Sequence, residues 1–296
     1  MTTPILATES IDEAFADIDD WPVERILAGL LAHQAAAIDA VRAALPSLGA
    51  AISAAEPGLA RGGRLIYVGA GTSGRLGTQD GVELTPTFSW PRERMLSLMA
   101  GGDQAFMRSV EGAEDDSSAG AARMHATQPT ADDVVIGLAA SGTTPFVIAA
   151  IEAARRAGAL TIAVACNAAT PLLAAGAHAI LLATGAEAIA GSTRLKAGTA
   201  QKIALNLFST TLMVRLGRVY RGQMVEMQAT NAKLRRRSLR ILMRLAQCDD
   251  AQAQRALDTA GGDLKLAILI LLDGVDRLEA QRRLAAAGGR VRRARS

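Results

Sequence analysis

The fold turns on the stretch Leu65-Ile66-Tyr67-Val68-Gly69-Ala70-Gly71-Thr72-Ser73-Gly74-Arg75. A short, nearly unbroken apolar run enters a turn that reads GxGxxG. A strand covered on both faces would deliver the chain to a helix N-terminus whose amides face an anion. Four further apolar runs follow, at Met95–Ala100, Val134–Ala140, Leu160–Cys166 and Ala179–Ala183, each set off by helical or turn-rich sequence. Five such runs in this rhythm predict a doubly wound α/β domain with a parallel five-stranded sheet flanked by helices.

On either side lie helices. Leu27, Leu30, Leu31, Ile38, Val41, Leu45, Leu48 and Ile52 recur in steps of three and four, predicting one long N-terminal helix over Ile26–Ile52. The segment Ala197–Leu216 repeats the pattern. After the basic cluster Lys233–Arg237 come short helical segments punctuated by Asp249-Asp250, Gly261-Gly262-Asp263 and Gly288-Gly289, where the Asp after Gly-Gly reads as an N-cap and the last glycines as a stop. The expected division is an N-terminal helical segment (1–56), a ligand-binding α/β domain (57–238) and a small helical C-terminal domain with a basic tail (239–296).

Bulk properties exclude several classes. The net charge is only +3, with much of the excess in the tail Arg290–Arg295, and five Phe, two Tyr and two Trp offer few stacking platforms, so no nucleic-acid partner is expected. No run of about 18 apolar residues occurs, and Met1–Pro4 lacks a basic region leading into an apolar core. A cytoplasmic protein without a membrane partner is the expectation. Cys166 and Cys248 lie far apart without a CxxC pair, and His33, His125 and His178 show no ligand spacing, so no metal is expected and both thiols read as small buried hydrophobes.

A ligand site is expected at the strand ends. A dinucleotide would want an acid soon after the second strand, and only Asp103 is near; Thr72 and Ser73 inside the glycine frame suit a monophosphate better. Ser141-Gly142-Thr143-Thr144-Pro145 repeats the chemistry after the third strand, ahead of a helix starting near Pro145. A third hydroxyl-rich segment, Gly191–Thr199, places Ser192 and Lys196 before the second long helix, where they reach a phosphate or only cap the helix. Glu83 should stand where a short helix ends, because Pro86 disfavours helical geometry at Thr85. Glu114 should follow a helical segment over Gln104–Val110, beyond Gly112.

Together, Gly69–Arg75, Glu83-Leu84-Thr85-Pro86-Thr87, Ala100-Gly101-Gly102, Val110–Asp115, Ser141–Pro145 and Gly191–Lys202 resemble the N-acetylmuramic acid 6-phosphate etherases, with the motifs in order over residues 62–234. The resemblance implies a sugar isomerase (SIS) domain, a homodimer with active sites near its interface, and a small helical C-terminal domain. It also implies a phosphorylated amino sugar as substrate, held by Gly71, Thr72, Ser73, Ser141, Gly142, Thr143, Thr144, Ser192 and Lys196. Glu83 is then the acid that protonates departing lactate, and Glu114 the base that removes the carbon 2 proton. Two carboxyl groups of different proton affinity meet both needs, with no metal or organic cofactor. The chain departs from the family at Thr143, where Arg is usual, and at Ser10-Ile11, where Arg-Asn usually follows Thr8-Glu9. The alternatives are a phosphosugar isomerase, which also removes the carbon 2 proton, and a non-catalytic sugar-phosphate-sensing protein.

Overall fold

The computed structural model describes residues 6–227 and 231–296; Met1–Pro4, read above for a targeting segment, lie outside the described residues. The chain forms two compact units, one of residues 1–82 and 93–209, the other of residues 83–92 and 210–296.

In the first unit the five apolar runs are strands β1 (Leu65–Gly69), β2 (Met95–Met99), β3 (Val134–Leu138), β4 (Leu160–Ala165) and β5 (His178–Leu181). All pair in parallel in the order β2-β1-β3-β4-β5, with Leu65 beside both Met95 and Val134. The order reverses direction at β1 and β3, which puts a ligand crevice at their carboxyl ends. On one face Ile66, Val68, Val135, Phe146, Val147 and Ile151 form a core, with α3 (Ser117–Ala126), α4 (Pro145–Arg156) and α5 (Pro171–Ala175) supplying the helical side. Each fully buried Val, Leu or Ile there contributes about 1.5–3 kcal/mol.

The other face takes α1 (Val23–Ala60) and α6 (Lys196–Arg215), with Leu48, Leu205 and Phe208 meeting Ile136, Ile162 and Ile180. By length and composition α1 could cross a membrane. Its buried side is that of a core helix: Ala37, Ala40, Val41, Ala44, Leu48, Ala51 and Ile52 face inward. The small residues let it lie close to the sheet, and Leu27, Leu31, Ile38 and Leu45, read from sequence as packing positions, are half or more exposed. The helix is apolar on two sides, and periodicity alone did not say which one the sheet takes.

Asp80 fastens α2 (Gly71–Phe88) within this unit. Its Oδ2 accepts from Tyr67 Oη at 2.9 Å, and its Oδ1 accepts from Asn206 Nδ2 at 2.9 Å and Ser209 Oγ at 3.1 Å. Burial drives the Asp80 carboxyl above its usual range despite these donors. Two expectations fail here. Helix α2 runs through Pro86 to Phe88, because a proline in the last turn forfeits only one internal bond and Ser89 N still closes on Thr85 O at 2.9 Å. The segment 104–110 holds only a single-turn 3-10 helix, Asp103–Phe106, after which the chain opens toward Gly112.

The second unit carries β6 (Val219–Tyr220), β7 (Gln223–Met224) and α7 (Ala232–Ala246), α8 (Asp250–Thr259), α9 (Leu264–Asp273), α10 (Arg277–Ala286) and α11 (Val291–Ala294). Asp249 and Asp263 cap α8 and α9, accepting from Gln252 N at 2.7 Å and Leu266 N at 3.1 Å. The basic tail is not a solvated strand. Val291 and Ala294 enter the unit's core, and Arg295 donates to Asp273 Oδ1 at 2.7 Å and to Tyr220 Oη at 2.9 Å. Cys166 is buried, as expected, with burial pushing its thiol up to about 12, and Cys248 is half-buried.

Candidate active site

Beyond the carboxyl ends of β1 and β3 a crevice of about 520 Å³ opens. Gly71, Thr72, Ser73, Glu114, Ser141, Thr143 and Thr144 line it together, seven of the residues singled out from sequence.

The two helix termini at this crevice differ. Helix α2 begins at Gly71, with φ of +50°, so the amides of Gly71, Thr72 and Ser73 belong to its first turn and have no partner within the helix. Gly74 lets that turn pack on the strand: a Cβ there would come within 2.4 Å of Met99 Sδ and 2.8 Å of Gly69 C. Ser73 Oγ donates to Gln201 Oε1 at 2.8 Å, so its proton serves the packing of α6 and Thr72 holds the freer hydroxyl.

Helix α4 spends its amides elsewhere. Pro145 has none, Val147 N donates to Thr144 O at 3.1 Å, and Phe146 N donates to Glu114 O at 3.0 Å. That last bond is how Glu114 reaches the crevice: its carbonyl is tied to the first turn of α4, and its carboxylate lies exposed on the wall. What α4 offers an anion is the positive end of its dipole and the hydroxyls of Ser141 and Thr144, the latter free of any capping bond. Gly142 holds the loop from beneath with φ of +76°, where a Cβ would meet Thr170 Oγ1 at 2.3 Å. It is buried and shapes the loop without lining the crevice.

Several residues that hold the site carry no local signal. Asn167 Nδ2 donates to Ala140 O at 3.1 Å, Ser141 O at 3.2 Å and Thr8 Oγ1 at 3.0 Å, while Thr8 N donates to Asn167 Oδ1 at 3.2 Å. This lashes the N-terminal segment to the Ser141 loop and brings Glu9 into the crevice wall near Gly191. Only the Thr8-Glu9 pair, in keeping with the family pattern, hinted at this. Glu187, wholly buried, accepts from Lys196 N at 3.0 Å and Ala197 N at 2.7 Å and so caps α6.

Three predicted residues stand elsewhere. Lys196 Nζ donates to Ala186 O at 2.7 Å and lies 2.9 Å from His33 Nε2, itself 3.4 Å from Asp12 Oδ2. Burial lowers the Lys196 pKa against the opposing pull of Glu187 and Asp12, and the ammonium holds the chain together instead of facing the crevice. Ser192 is half-buried in the loop before α6, where Gly191 and Thr193 do the lining. Glu83 is exposed on α2, within the second compact unit, and is not among the crevice residues. The described crevice wall has no Lys, Arg or His, and it carries the acids Glu9, Glu114 and Asp115. Among the described residues no cluster of three His, Cys, Asp or Glu is placed to hold a metal ion.

A parallel five-stranded sheet with an anion-ready helix terminus and hydroxyl-rich loops at its switch point defines an α/β protein with a phosphate-type anion site. Residues 104–211 match the SIS domain model, and residues 50–155 match that of the glucokinase regulatory protein N-terminal SIS domain. N-acetylmuramic acid 6-phosphate etherase of Deinococcus radiodurans is 52% identical over 271 residues, 92% of this chain and 88% of that one. The protein of the same name from Cutibacterium acnes is 44% identical over 91% of this chain and 88% of its own. A phosphoheptose isomerase structure from Francisella tularensis aligns with TM-score 0.44 and 18% identity, over 65% of this chain and 96% of that one. The chain belongs to the N-acetylmuramic acid 6-phosphate etherase family.

Proposed function

We propose that the protein cleaves the ether between D-lactate and carbon 3 of N-acetylmuramic acid 6-phosphate, giving N-acetylglucosamine 6-phosphate and D-lactate, as a cytoplasmic step in cell-wall sugar recycling. The observation that carries the reading is one wall on which the orphan amides of α2, the Ser141 and Thr144 hydroxyls and the Glu114 carboxylate converge. The first two groups suit a phosphate, and a carboxylate beside them suits proton abstraction.

Opening the sugar ring gives an aldehyde that acidifies the hydrogen on carbon 2. Glu114 takes that proton, the carbon 3–oxygen bond breaks with its electron pair on the lactyl oxygen, and Glu83 protonates that oxygen. Water then adds hydroxide to carbon 3 while carbon 2 regains a proton, so the net change is hydrolysis.

Glu83 stands twelve residues past Gly71 on one helix, about 18 Å along its axis. That exceeds the length of an extended six-carbon phosphosugar, so Glu83 acts in the site of a second copy. The exposed Leu27, Leu31, Ile38 and Leu45 along α1 supply apolar surface for a homodimer. The test is incubation of purified protein with N-acetylmuramic acid 6-phosphate and measurement of D-lactate, which should appear in step with N-acetylglucosamine 6-phosphate. Glu114→Ala should lose both lactate release and hydrogen exchange at carbon 2 of the product. Interconversion of phosphosugars without lactate would mark an isomerase instead.

A further inference from the structure

A second cavity of about 280 Å³ adjoins the crevice, sharing Ala70, Gly71 and Glu114 with it. Its wall contains what the crevice lacks, namely the guanidiniums of Arg75 and Arg108. Arg75 is committed to structure: Nε donates to Ala105 O and Phe106 O at 3.2 Å, and Nη2 to Ala105 O at 2.8 Å. Arg108 is exposed, and among the described residues its side chain makes no hydrogen bond or ion pair. Its backbone is held from both sides, by Arg108 N donating to Gln104 O at 3.0 Å and by Val110 packed on Gly101. At Gly101 φ is +82° and a Cβ would come within 2.8 Å of Val110 Cβ, so only glycine allows this closure. The loop therefore presents, from an anchored backbone, an unspent cation on the same cavity wall as Glu114. Glu111 shares the wall and is exposed like Arg108, so water and salt screen both charges until a bound ligand excludes them.

The ether substrate carries two anions, the phosphate on carbon 6 and the lactyl carboxylate on the oxygen of carbon 3. With the phosphate in the crevice and carbon 2 at Glu114, the arm on the adjacent carbon 3 comes within reach of the cavity that shares Glu114 with the crevice. We infer that the second cavity is the subsite for the 2-hydroxy-acid arm, and that Arg108 clamps its carboxylate through two parallel N–H···O bonds. This inference rests on the etherase reading above and adds the residue that selects the lactyl ether over amino-sugar phosphates lacking that arm. The clamp is made before the bond breaks and persists as it breaks, so it acts chiefly on KM.

The experiment compares wild type, Arg108→Ala and Arg108→Lys in two assays: lactate release from N-acetylmuramic acid 6-phosphate, and carbon 2 hydrogen–deuterium exchange in N-acetylglucosamine 6-phosphate, which has no lactyl arm. Arg108→Ala should raise KM for the ether roughly 10- to 100-fold, with Arg108→Lys between it and wild type. The KM for exchange should rise far less than the KM for the ether in the same variant. D-lactate should inhibit the wild type and lose potency against Arg108→Ala. An unchanged KM for the ether, or equal rises in both assays, overturns the subsite. A wild type that releases no lactate at all overturns the etherase reading itself.

Discussion

Mixing protomers that carry Glu83→Ala with protomers that carry Glu114→Ala should restore ether cleavage that neither variant shows alone. The expectation follows from helix geometry. Gly71 opens α2 at the crevice, Glu83 lies twelve residues later, and a rise of 1.5 Å per residue puts about 18 Å between them. Glu114 is tied to the crevice by its bond to Phe146 N. The helix rise alone carries Glu83 away from a phosphate resting on the first turn of α2, so the prediction takes Glu83 from a second copy. In a twofold dimer each site then takes Glu114 from one chain and Glu83 from the other. A mixed dimer has one site lacking both carboxylates and one site intact. Random pairing makes half of the dimers mixed, so the mixture should recover roughly a quarter of the wild-type rate. Dimers purified through two different tags should reach about half. Lactate release is the assay, with tandem purification verifying that mixed dimers form. Mixed dimers as inactive as their parents would refute the shared site, and so would light scattering showing only monomer at micromolar concentration.

Ser141→Ala removes a hydroxyl beside the dipole end of α4 and should raise KM by roughly tenfold or more, with kcat changed only a few-fold; equal turnover of phosphate-free N-acetylmuramic acid would contradict this use of the loop. Asp133 accepts from Arg64 N and Thr130 N at 2.7 and 2.8 Å and pairs with the Arg64 guanidinium at 2.7 Å. Burial pushes this carboxyl up, and the Arg64 and Thr130 bonds outweigh it, leaving the pKa below the usual value. A depressed folded pKa means stability that is complete above the unfolded value near 3.9 and lost as pH falls through the folded one. Asp133→Asn should therefore cost about 2–4 kcal/mol at pH 7 and show a flatter acid limb in denaturant titrations; an unchanged midpoint at pH 7 would refute the role.

The sheet was legible because strands buried on both faces leave continuous apolar runs, and all five were readable. The cap at Asp263 was legible for a local reason, since an N-cap bond spans three residues. Contacts that close over long sequence distances were not. Thr8 and Asn167 are 159 positions apart, and no pattern around either says that the other completes it. Lys196 illustrates the opposite error. A cation next to hydroxyls before a helix reads as a phosphate ligand, yet Ala186 O and His33, distant in different ways, take its proton-donating end. The run of α2 past Pro86 was missed because the rule applied to Thr85 describes a preference that a last helical turn can override.

The two loops at the crevice look equivalent in sequence, each with hydroxyls and glycine ahead of a helix, but the structure gives them different work. At α2 the first-turn amides remain for an anion. At α4 proline has removed one, and Glu114 O and Thr144 O have taken the next two. The second terminus thus holds Glu114 in place and offers an anion only a dipole and hydroxyls. On the proposed reading, the same turn of α4 bears both Thr144 and the Glu114 tether, so docking of a phosphate there would set the distance from carbon 2 to the carboxylate. Binding energy from a group that does not react would thereby be converted into orientation of the group that does. An arginine at position 143 would strengthen only the first half of that arrangement; with Thr143 here, the proposed reading leaves the larger share of a phosphate's charge to the α2 amides.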